Sequence, residues 1–418
     1  MKALLLPTLF ICLYFPTFNQ ILDDKGKQGF FILTLVSTIF IVGYIFRSQF
    51  KVSLSASIFI LVTSLWLIVI AISSLFSINT LMLRDFMELY RPISYLLSFL
   101  FGYYMAKDST SISNYIGRYR ILLFSVFGIV LLAILSFMLF DVFGKYILSF
   151  YTKDHNVFTR RLTGTFNNPY DFAFVALLPF CYAFISYLRL GNYRMLLIAL
   201  VSLLAVILSQ SKAGFLSLIF CFSLIYLFYP FVFSIRKISV AQMGRLLVLP
   251  VIGGIASISF ILYMGDQISY LMDGINKLLE GQGDKSTNIR ILQVEFVINS
   301  FINHPYKLFF GFGPSKATVE FLEMLPLLYL YRYGILGLVI LGYWIAWGTF
   351  ICYTKAKLEN VETMKLIYFA TFTWFASVLT SGIGNNVIDQ SRVSFIYFCL
   401  IGFFTYSLPR HRLLCKII

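Results

Sequence analysis

One stretch, from Gly265 to Tyr333, decides how the chain is organised. Its sequence is GDQISYLMDGINKLLEGQGDKSTNIRILQVEFVINSFINHPYKLFFGFGPSKATVEFLEMLPLLYLYRY. It holds 13 charged residues of a chain total of 33 basic and 18 acidic residues, whereas the sequence on either side is a series of apolar runs. Loops that a rigid scaffold positions often carry function. We therefore expect the flanking apolar runs to hold this charged stretch over a substrate at a membrane surface.

The composition excludes a soluble protein. Of the 418 residues, 59% are hydrophobic and 12% are charged, against roughly 25% charged residues in soluble domains. The mean hydropathy is +0.85. These values indicate a chain that lies mostly within a lipid bilayer.

The apolar runs predict an all-α, polytopic integral membrane protein with about twelve transmembrane helices. A bilayer core needs about 20 mostly apolar residues per helix. The predicted spans are residues 3–20, 29–46, 54–75, 92–106, 121–143, 171–188, 195–209, 214–235, 246–264, 334–353, 366–384 and 393–408. The first run follows Lys2 and lacks a small-x-small cleavage site, so we interpret it as an uncleaved helix. Residues 1–418 are predicted to form a single membrane domain.

Lysine and arginine residues predict the orientation, because short cytoplasmic loops carry an excess of both. With the N-terminus in the cytoplasm, the inside segments hold 17 basic residues and the short outer segments hold 10. Twelve spans then return the C-terminus to the cytoplasm. The loops 144–170 and 265–333 and the turn Gln210–Ala213 are then expected on the outer face.

Several classes of site are not expected. The formal net charge of +15 does not indicate nucleic-acid binding, because the charges lie in short loops between apolar runs. The six cysteines form no CxxC motif and the three histidines are scattered, so neither a disulfide framework nor a metal site is predicted. No Gly-rich phosphate loop follows a strand pattern, and ATP use is not expected.

Within the long outer loop, residues Ser286 to Asn303 predict an amphipathic helix. Ser286 is a plausible N-cap, and apolar residues recur along the segment. Such a helix can rest on the membrane surface. His304-Pro305 is expected to end it, and Gly311-Phe-Gly-Pro314 to form a turn.

Basic residues at predicted outer membrane edges are candidates for binding. Lys212 stands in a short break between two long apolar runs, where an uncompensated charge costs several kcal/mol. A snorkelling lysine is the structural alternative. Arg160 and Arg161 precede a Gly164, Asn167, Asn168, Pro169 turn at the start of a span, although solvated charge would also explain them. Arg290 opposes the dipole at the start of the loop helix, which suits a bound anion.

Acidic residues near the end of the long loop are candidates for proton transfer. Glu320 and Glu323 are three residues apart and can share a helix face, so one could act as a general base or both could be solvated. Asp389 and Arg392 lie in the last outer turn, and they could either take part in function or form an ion pair at the membrane interface.

At these places the chain resembles the O-antigen polymerase and ligase superfamily, and within it the Wzy-type polymerases of bacterial surface polysaccharide. The resemblance covers roughly residues 155–340, and it rests on the order of the motifs and their common predicted side, because each motif alone is a weak signal. The motifs are Arg161-Leu-Thr-Gly164-Thr-Phe-Asn-Asn168-Pro169, Ser209-Gln-Ser211-Lys212, Arg290 with His304-Pro305 and Gly311-Phe-Gly313, and Glu323 before Gly334-Ile-Leu-Gly337.

The resemblance implies transfer of a growing glycan from undecaprenyl diphosphate to a second lipid-linked repeat unit. It implies Glu323 as the base and Arg290 as a second catalytic residue. Arg160, Arg161, Lys212 and Arg290 would bind the diphosphate, with secondary roles for Glu320, Asn168 and His304. No metal or other cofactor is implied. The partners would be the lipid-linked oligosaccharide, membrane lipid and a chain-length regulator protein, without nucleic acid.

Two departures from the family pattern, and three other functions, bear on this hypothesis. Lys212 stands where arginine is commoner, so bidentate anion binding is not expected there. Ligases carry histidine at the position of Glu323, which favours a polymerase. An O-antigen ligase, a lipid-linked oligosaccharide flippase and a solute transporter are the alternatives. A flippase would place charges around a central cavity, and a transporter would usually show two related halves.

Overall fold

The computed structural model describes residues 2–17, 27–46, 51–77, 83–152, 156, 161–234, 239–247, 285–314 and 322–407. Within these residues every regular element is helical and no strand occurs, which confirms the all-α prediction. Residues 248–264 of the predicted span 246–264, residues 265–284 of the long loop, Arg160 and Glu320 lie outside the described residues.

Fourteen α-helices carry labels here, and α11 is broken at Gly334. They are α1 Lys2–Tyr14, α2 Lys27–Phe46, α3 Leu54–Leu75, α4 Leu83–Lys107, α5 Ile112–Met138, α6 Lys145–Ser149, α7 Pro169–Leu190, α8 Tyr193–Leu208, α9 Lys212–Phe233, α10 Lys285–Asn303, α11 Leu325–Leu358, α12 Glu362–Ala376, α13 Val378–Gly384 and α14 Ser391–Thr405. A π-helical turn, Phe140–Gly144, joins α5 to α6, and 3-10 turns occupy Pro305–Leu308 and Val387–Asp389. A further helical stretch covers 240–247.

Six helices of the described chain are long and apolar enough to cross a membrane. They are Leu54–Leu75, Ile112–Met138, Pro169–Leu190, Lys212–Phe233, Leu325–Leu358 and Glu362–Gly384, the last comprising α12 and α13. Four more apolar helices are shorter, at Leu4–Tyr14, Ile32–Phe46, Tyr193–Leu208 and Ser391–Thr405. The chain is therefore membrane-embedded by this criterion, and the count of twelve spans stays a prediction.

Most predicted spans coincide with helices, with differences at the ends. Helix α1 ends at Tyr14 and not near residue 20, because Pro16 disfavours helical geometry at Phe15. The short predicted span 92–106 belongs to the longer helix α4, which begins at Leu83 and carries charged residues in its first half. Those charges explain why a prediction based on apolar runs identified only the second half of α4.

The described contacts divide the chain into two compact units, and the prediction of a single membrane domain is not tested by this division. The first unit is Met1–Ser125, Arg290–Ile351 and Gly382–Ile418, and the second is Val126–Ile289 and Cys352–Ser381.

Helices α4 and α14 form the centre of the first unit and approach each other through glycine. A Cβ atom at Gly102 would lie 1.8 Å from the carbonyl oxygen of Cys399, and one at Gly402 would lie 1.9 Å from that of Phe99. Small residues let membrane helices pack backbone to backbone. Around this contact the ring centroids of Tyr95 and Phe398 are 4.3 Å apart.

In the first unit, helix ends that the sequence predicts to lie on the same side of the membrane are in contact with one another. On the predicted inner side, the Tyr44 hydroxyl donates to Asp108 over 3.2 Å, and the Lys107 ammonium donates to the Lys51 carbonyl over 2.9 Å. On the predicted outer side, the Ser73 hydroxyl donates to the Arg332 carbonyl over 2.5 Å. The grouping agrees with the predicted alternation of these helices, whereas the assignment of either side to the cytoplasm stays a prediction.

Helix α7 is the most enclosed element of the second unit. The Trp374 indole of α12 donates to the Phe174 carbonyl of α7 over 2.8 Å. Helix α9 is joined to the end of this unit by the hydroxyls of Ser217 and Ser381, 2.7 Å apart. Such hydrogen bonds satisfy polar groups that have no water partner in hydrocarbon.

Candidate functional site

The loop helix α10 is present in the middle of the predicted charged loop. It runs from Lys285 to Asn303, so the predicted end before His304-Pro305 is confirmed. Ser286 lies inside the helix, and its assignment as the N-cap is therefore wrong by at least one residue. Most apolar side chains of α10 are exposed, including Leu292 at 63% and Ile298 at 53%, whereas Val297 is buried. An exposed apolar face of this kind suits contact with lipid.

The segment after α10 docks on the first turns of α11. The backbone amide of Phe312 donates to the Tyr331 carbonyl over 2.8 Å, and that of Gly313 donates to the Arg332 carbonyl over 2.9 Å. The rings of Phe312 and Tyr331 are stacked with centroids 4.7 Å apart. The Gly-Phe-Gly turn thus ties the loop to the helix that follows it.

Gly334 allows this docking because it breaks α11. Its backbone has φ 66° and ψ −160°, a region that is almost exclusive to glycine. A Cβ atom there would lie 2.4 Å from the carbonyl carbon and oxygen of Phe309. The residues before Gly334 can therefore change direction relative to the apolar helical residues after Gly334. The position of this break agrees with the predicted start of a span at residue 334.

Two predicted catalytic residues meet in the first unit. The Arg290 Nη2 atom lies 3.4 Å from Glu323 Oε2 and also donates to the Gly384 carbonyl over 3.2 Å. The Arg290 side chain is 20% exposed and that of Glu323 is 40% exposed. We call this ion pair the loop pair. Charge-assisted hydrogen bonds of this type are usually about 2.7–2.9 Å long, so the two groups are associated without a tight contact.

Neighbouring polar groups position the loop pair. The Glu323 amide donates to Gln293 Oε1 over 3.1 Å, which joins α10 to the residues before α11. The Asn386 side chain donates to the Leu322 carbonyl over 2.7 Å. Gln293 and Asn386 were not among the predicted site residues. The one sequence signal for them is that Gln293 lies close to Arg290, and Asn386 close to Asp389, in the chain.

The surroundings of the loop pair retain hydrogen-bonding capacity. Arg290 Nε and Asn386 Oδ1 are buried and make no hydrogen bond within the described chain. Buried polar groups are normally satisfied, and an exception needs an explanation such as a ligand or solvent. The half-exposed carboxylate of Glu323 could accept a proton from a hydroxyl, Arg290 Nε could donate to an anion, and Asn386 Oδ1 could accept from a hydroxyl.

His304 and Lys307 lie in the turn that follows α10. The His304 ring packs against Phe312 with centroids 6.0 Å apart. Lys307 is buried, donates to the Phe76 carbonyl and lies 5.5 Å from the centre of the Phe312 ring. Burial lowers the pKa of Lys307. These contacts assign both residues to the anchoring of the turn, and His304 has no described contact with the loop pair.

The two remaining motifs meet in the second unit. Arg161 is 5% exposed, and its guanidinium donates to the carbonyls of Ser209 and Gln210 over 3.3 and 3.2 Å. The Leu162 amide donates to the Leu208 carbonyl over 3.3 Å. The turn before α7 is therefore joined to the turn between α8 and α9. Two N–H groups of the Arg161 guanidinium donate to backbone carbonyls of that second turn, where a diphosphate had been expected as the acceptor.

Lys212 and Asn168 each stand at a helix start in the second unit. Lys212 is the first residue of α9 and is half-buried, and the preceding Ser211 caps the helix through the Gly214 amide over 3.0 Å. Asn168 is the N-cap residue of α7, yet its side chain donates to Asp171 over 3.4 Å and does not cap the helix. The partial positive charge of a helix start beside Lys212 favours an anion there.

A buried group of charges that sequence analysis did not identify lies in the first unit. Asp389 accepts from Arg91 over 2.5 Å, from Tyr95 over 3.0 Å and from Tyr329 over 2.8 Å. Glu88 Oε2 lies 3.1 Å from Arg91 Nε and accepts from the Tyr333 hydroxyl over 3.2 Å, and Glu88 Oε1 lies 3.6 Å from Arg332 Nη1. We call these seven residues the core charge network.

The core charge network corrects the interpretation of Asp389 and Arg392 as a pair. The described partners of Asp389 are on α4 and α11, and Arg392 donates to the Phe15 carbonyl. The sequence carried one signal of the network, because Glu88 and Arg91 are three residues apart immediately before a predicted span. Intramembrane charges normally pair with one another in this way.

Arg160 and Glu320, the other predicted site residues, lie outside the described residues. No group of three or more His, Cys, Asp or Glu side chains in the described ranges could hold a metal ion. No protein-family model matches the chain, and no curated protein matches it.

Proposed function

We propose that the protein is a glycosyltransferase that polymerises lipid-linked oligosaccharide repeat units of a bacterial surface polysaccharide. The observation that carries the proposal is the loop pair, in which a half-exposed carboxylate and an arginine are held together by a loop docked on an apolar helix. The resemblance of four motifs to the O-antigen polymerases supplies the substrate class.

Glu323 would act as the general base. Its carboxylate would take the proton of an acceptor sugar hydroxyl, and the hydroxyl oxygen would attack the anomeric carbon of the donor glycan. The bond from that carbon to the diphosphate oxygen would break, and undecaprenyl diphosphate would leave with the electron pair. A positioned base contributes about 10²–10⁴-fold to such a rate.

Arg290 would stabilise the charge that develops on the leaving diphosphate. Its buried Nε has no hydrogen-bond partner in the described chain and is therefore available to an anion. Preorganised donors of this kind act where charge develops in the transition state. Lys212 would bind diphosphate at the start of α9, with Arg160 as a further candidate, whereas Arg161 is better placed to shape the turn that presents Lys212.

The proposed setting is the periplasmic face of a bacterial inner membrane. Twelve spans would place both termini in the cytoplasm and the loop pair on the outer side. The exposed apolar residues of α10 would lie on lipid, where the two prenyl-linked substrates are found. The reaction would need neither a metal nor a nucleotide, and a chain-length regulator protein is a proposed partner.

The test of the base is surface glycan length in cells that lack the gene and carry Glu323→Gln. We expect single-repeat glycan, because glutamine cannot accept the proton. Glu295→Gln is the matched control, since Glu295 is an exposed acid of α10, and it should give full-length glycan. Full-length glycan from normally made Glu323→Gln protein would remove Glu323 from the base role.

Arg290→Ala separates the proposal from its alternatives. Single-repeat glycan on a normally made protein supports a polymerase with Arg290 in the anion site. Full-length chains would mean that Arg290 only anchors the loop to Gly384. Absence of any glycan on the lipid core would instead indicate the ligase or flippase.

A further inference from the structure

A cavity of about 680 Å³ opens in the first unit, away from the loop pair. It lies where α3 begins and where α4 and α14 end. Its lining includes Lys51, Ser55, Tyr103, Lys107, Tyr406 and Ser407. Because three apolar helices start or stop here, the cavity lies at a membrane boundary, on the side that the distribution of lysine and arginine predicts to be cytoplasmic.

The cavity wall is basic and rich in hydroxyl groups. Lys51 and Lys107 line it, and no lining side chain in the described part of the chain is acidic. The nearest carboxylate in sequence, Asp108, lies 3.6 Å from Arg118 and accepts from the Tyr44 hydroxyl. Asp108 therefore has cationic and hydroxyl partners of its own, although its charge also acts on Lys107 and raises the pKa of that ammonium.

The wall is held open by contacts that are internal to it. The Ser53 amide donates to the Tyr103 hydroxyl over 2.9 Å, and the Tyr103 and Tyr406 rings pack edge to face with centroids 5.6 Å apart. Lys107 donates to the Lys51 carbonyl and lies 5.2 Å from the centre of the Tyr104 ring. These contacts hold the Lys107 ammonium against the backbone of Lys51, so that both residues belong to one wall.

The charge of Lys51 acts on Lys107 and disfavours the charged form of its ammonium. Burial lowers the pKa of Lys107, and the neighbouring charge of Lys51 lowers it further, against an opposing effect of Asp108. An anion between them would relieve this repulsion. The first turn of α3 in the same wall adds the partial positive charge of a helix start.

Apolar residues on the rim indicate that the anion carries a lipid tail. Val52 is 39% exposed and Leu54 is 79% exposed, and both lie beside the basic wall. Leu54 begins a helix of 22 residues that is apolar enough to cross the membrane. A headgroup in the cavity would thus have its acyl chains directed along α3, whereas a free anion would make no use of this rim.

We propose that this cavity binds the phosphate headgroup of an anionic phospholipid of the inner leaflet. Basic pockets between membrane helices on the cytoplasmic side bind such headgroups. The phosphate would lie between the ammonium groups of Lys51 and Lys107, with the hydroxyls of Ser55 and Ser407 in the same wall. Inorganic phosphate shares this chemistry, and the experiment distinguishes the two sources.

The test measures lipid binding to the full-length protein, purified in an uncharged detergent, by native mass spectrometry. We expect cardiolipin and phosphatidylglycerol to bind more tightly than phosphatidylcholine. Lys51→Gln with Lys107→Gln should weaken binding of the anionic lipids about thirtyfold, since each lysine near an anionic lipid contributes about a factor of five. Equal binding of phosphatidylcholine, or unchanged binding by the double variant, would overturn the proposal.

Two controls make the result specific. Lys355→Gln with Lys357→Gln removes two lysines from the end of α11 and should leave anionic-lipid binding unchanged. Lys51→Gln alone changes an exposed residue and keeps the fold testable if the double variant is unstable. Displacement of lipid by millimolar inorganic phosphate would reassign the cavity to a free anion and overturn the lipid assignment.

Discussion

The core charge network and the loop pair both join arginine to carboxylate in the first unit, but they differ in exposure and in the number of partners. Glu88 is fully buried, and the Asp389 side chain is 4% exposed. The loop pair has one 3.4 Å contact and a carboxylate that is 40% exposed. The network has two arginines for two carboxylates, so its formal charges cancel.

The difference shows how the same chemistry can serve structure or reaction. A buried ion pair is costly to desolvate and is retained only when its partners satisfy it, so breaking it is strongly destabilising. A partly exposed pair contributes little to stability. It can therefore exchange its partner for a substrate at low cost, which a base and an anion donor both require.

Asp389→Asn is expected to have the largest effect on stability. It leaves the network with one excess positive charge, and removal of one partner from a buried pair costs about 3–5 kcal/mol. Thermal unfolding of the purified protein in detergent would measure the loss. Arg91→Gln in the same chain restores neutrality and should recover part of it. An unchanged melting temperature for Asp389→Asn would place Asp389 in a hydrated, non-structural position.

Tyr329→Phe is expected to have an intermediate effect. It removes a 2.8 Å hydrogen bond to Asp389 but leaves Arg91 and Tyr95 on that carboxylate and keeps the ring stacked on Trp66. The loss should be about 1.5 kcal/mol in the same unfolding assay. The matched control is Tyr343→Phe, because the buried Tyr343 hydroxyl has no hydrogen-bond partner in the described chain. Equal stability losses for the two variants would exclude a stabilising role of the Tyr329 hydroxyl.

Glu323→Gln is expected to change stability least, by less than about 1 kcal/mol, because the pair that it weakens is partly exposed. The same variant is expected to lose polymerisation. Melting temperature and surface glycan length, measured on one preparation of cells, would show the two effects separately. A large fall in melting temperature would instead assign the loop pair to the structural class of the core charge network.

A local signal predicted the end of the loop helix correctly. His304-Pro305 ends α10 because proline cannot continue a helix. The sequence also placed the start of a span at Gly334, which is where the backbone of α11 is non-helical. Each of these outcomes depends on a few consecutive residues. For this reason, features of this kind can be predicted from a single sequence.

Long-range pairing was beyond the same reasoning. Asp389 was grouped with its neighbour Arg392, although its partners Arg91 and Tyr329 are 298 and 60 residues away in the chain. The polar residues in the first half of α4 belong to a helix whose apolar part alone was predicted. Arg161, proposed for diphosphate binding, has two donors directed to backbone carbonyls.

The sequence by itself determined that the chain is helical and apolar, that a charged segment interrupts it, and where prolines and glycines end its helices. These properties depend on transfer energies and backbone sterics of single residues and short runs. Only the tertiary structure decided which charges meet, because the rotation and packing of each helix select its neighbours. It thereby separated a neutral, enclosed network from an accessible pair that has hydrogen-bonding capacity left for a ligand.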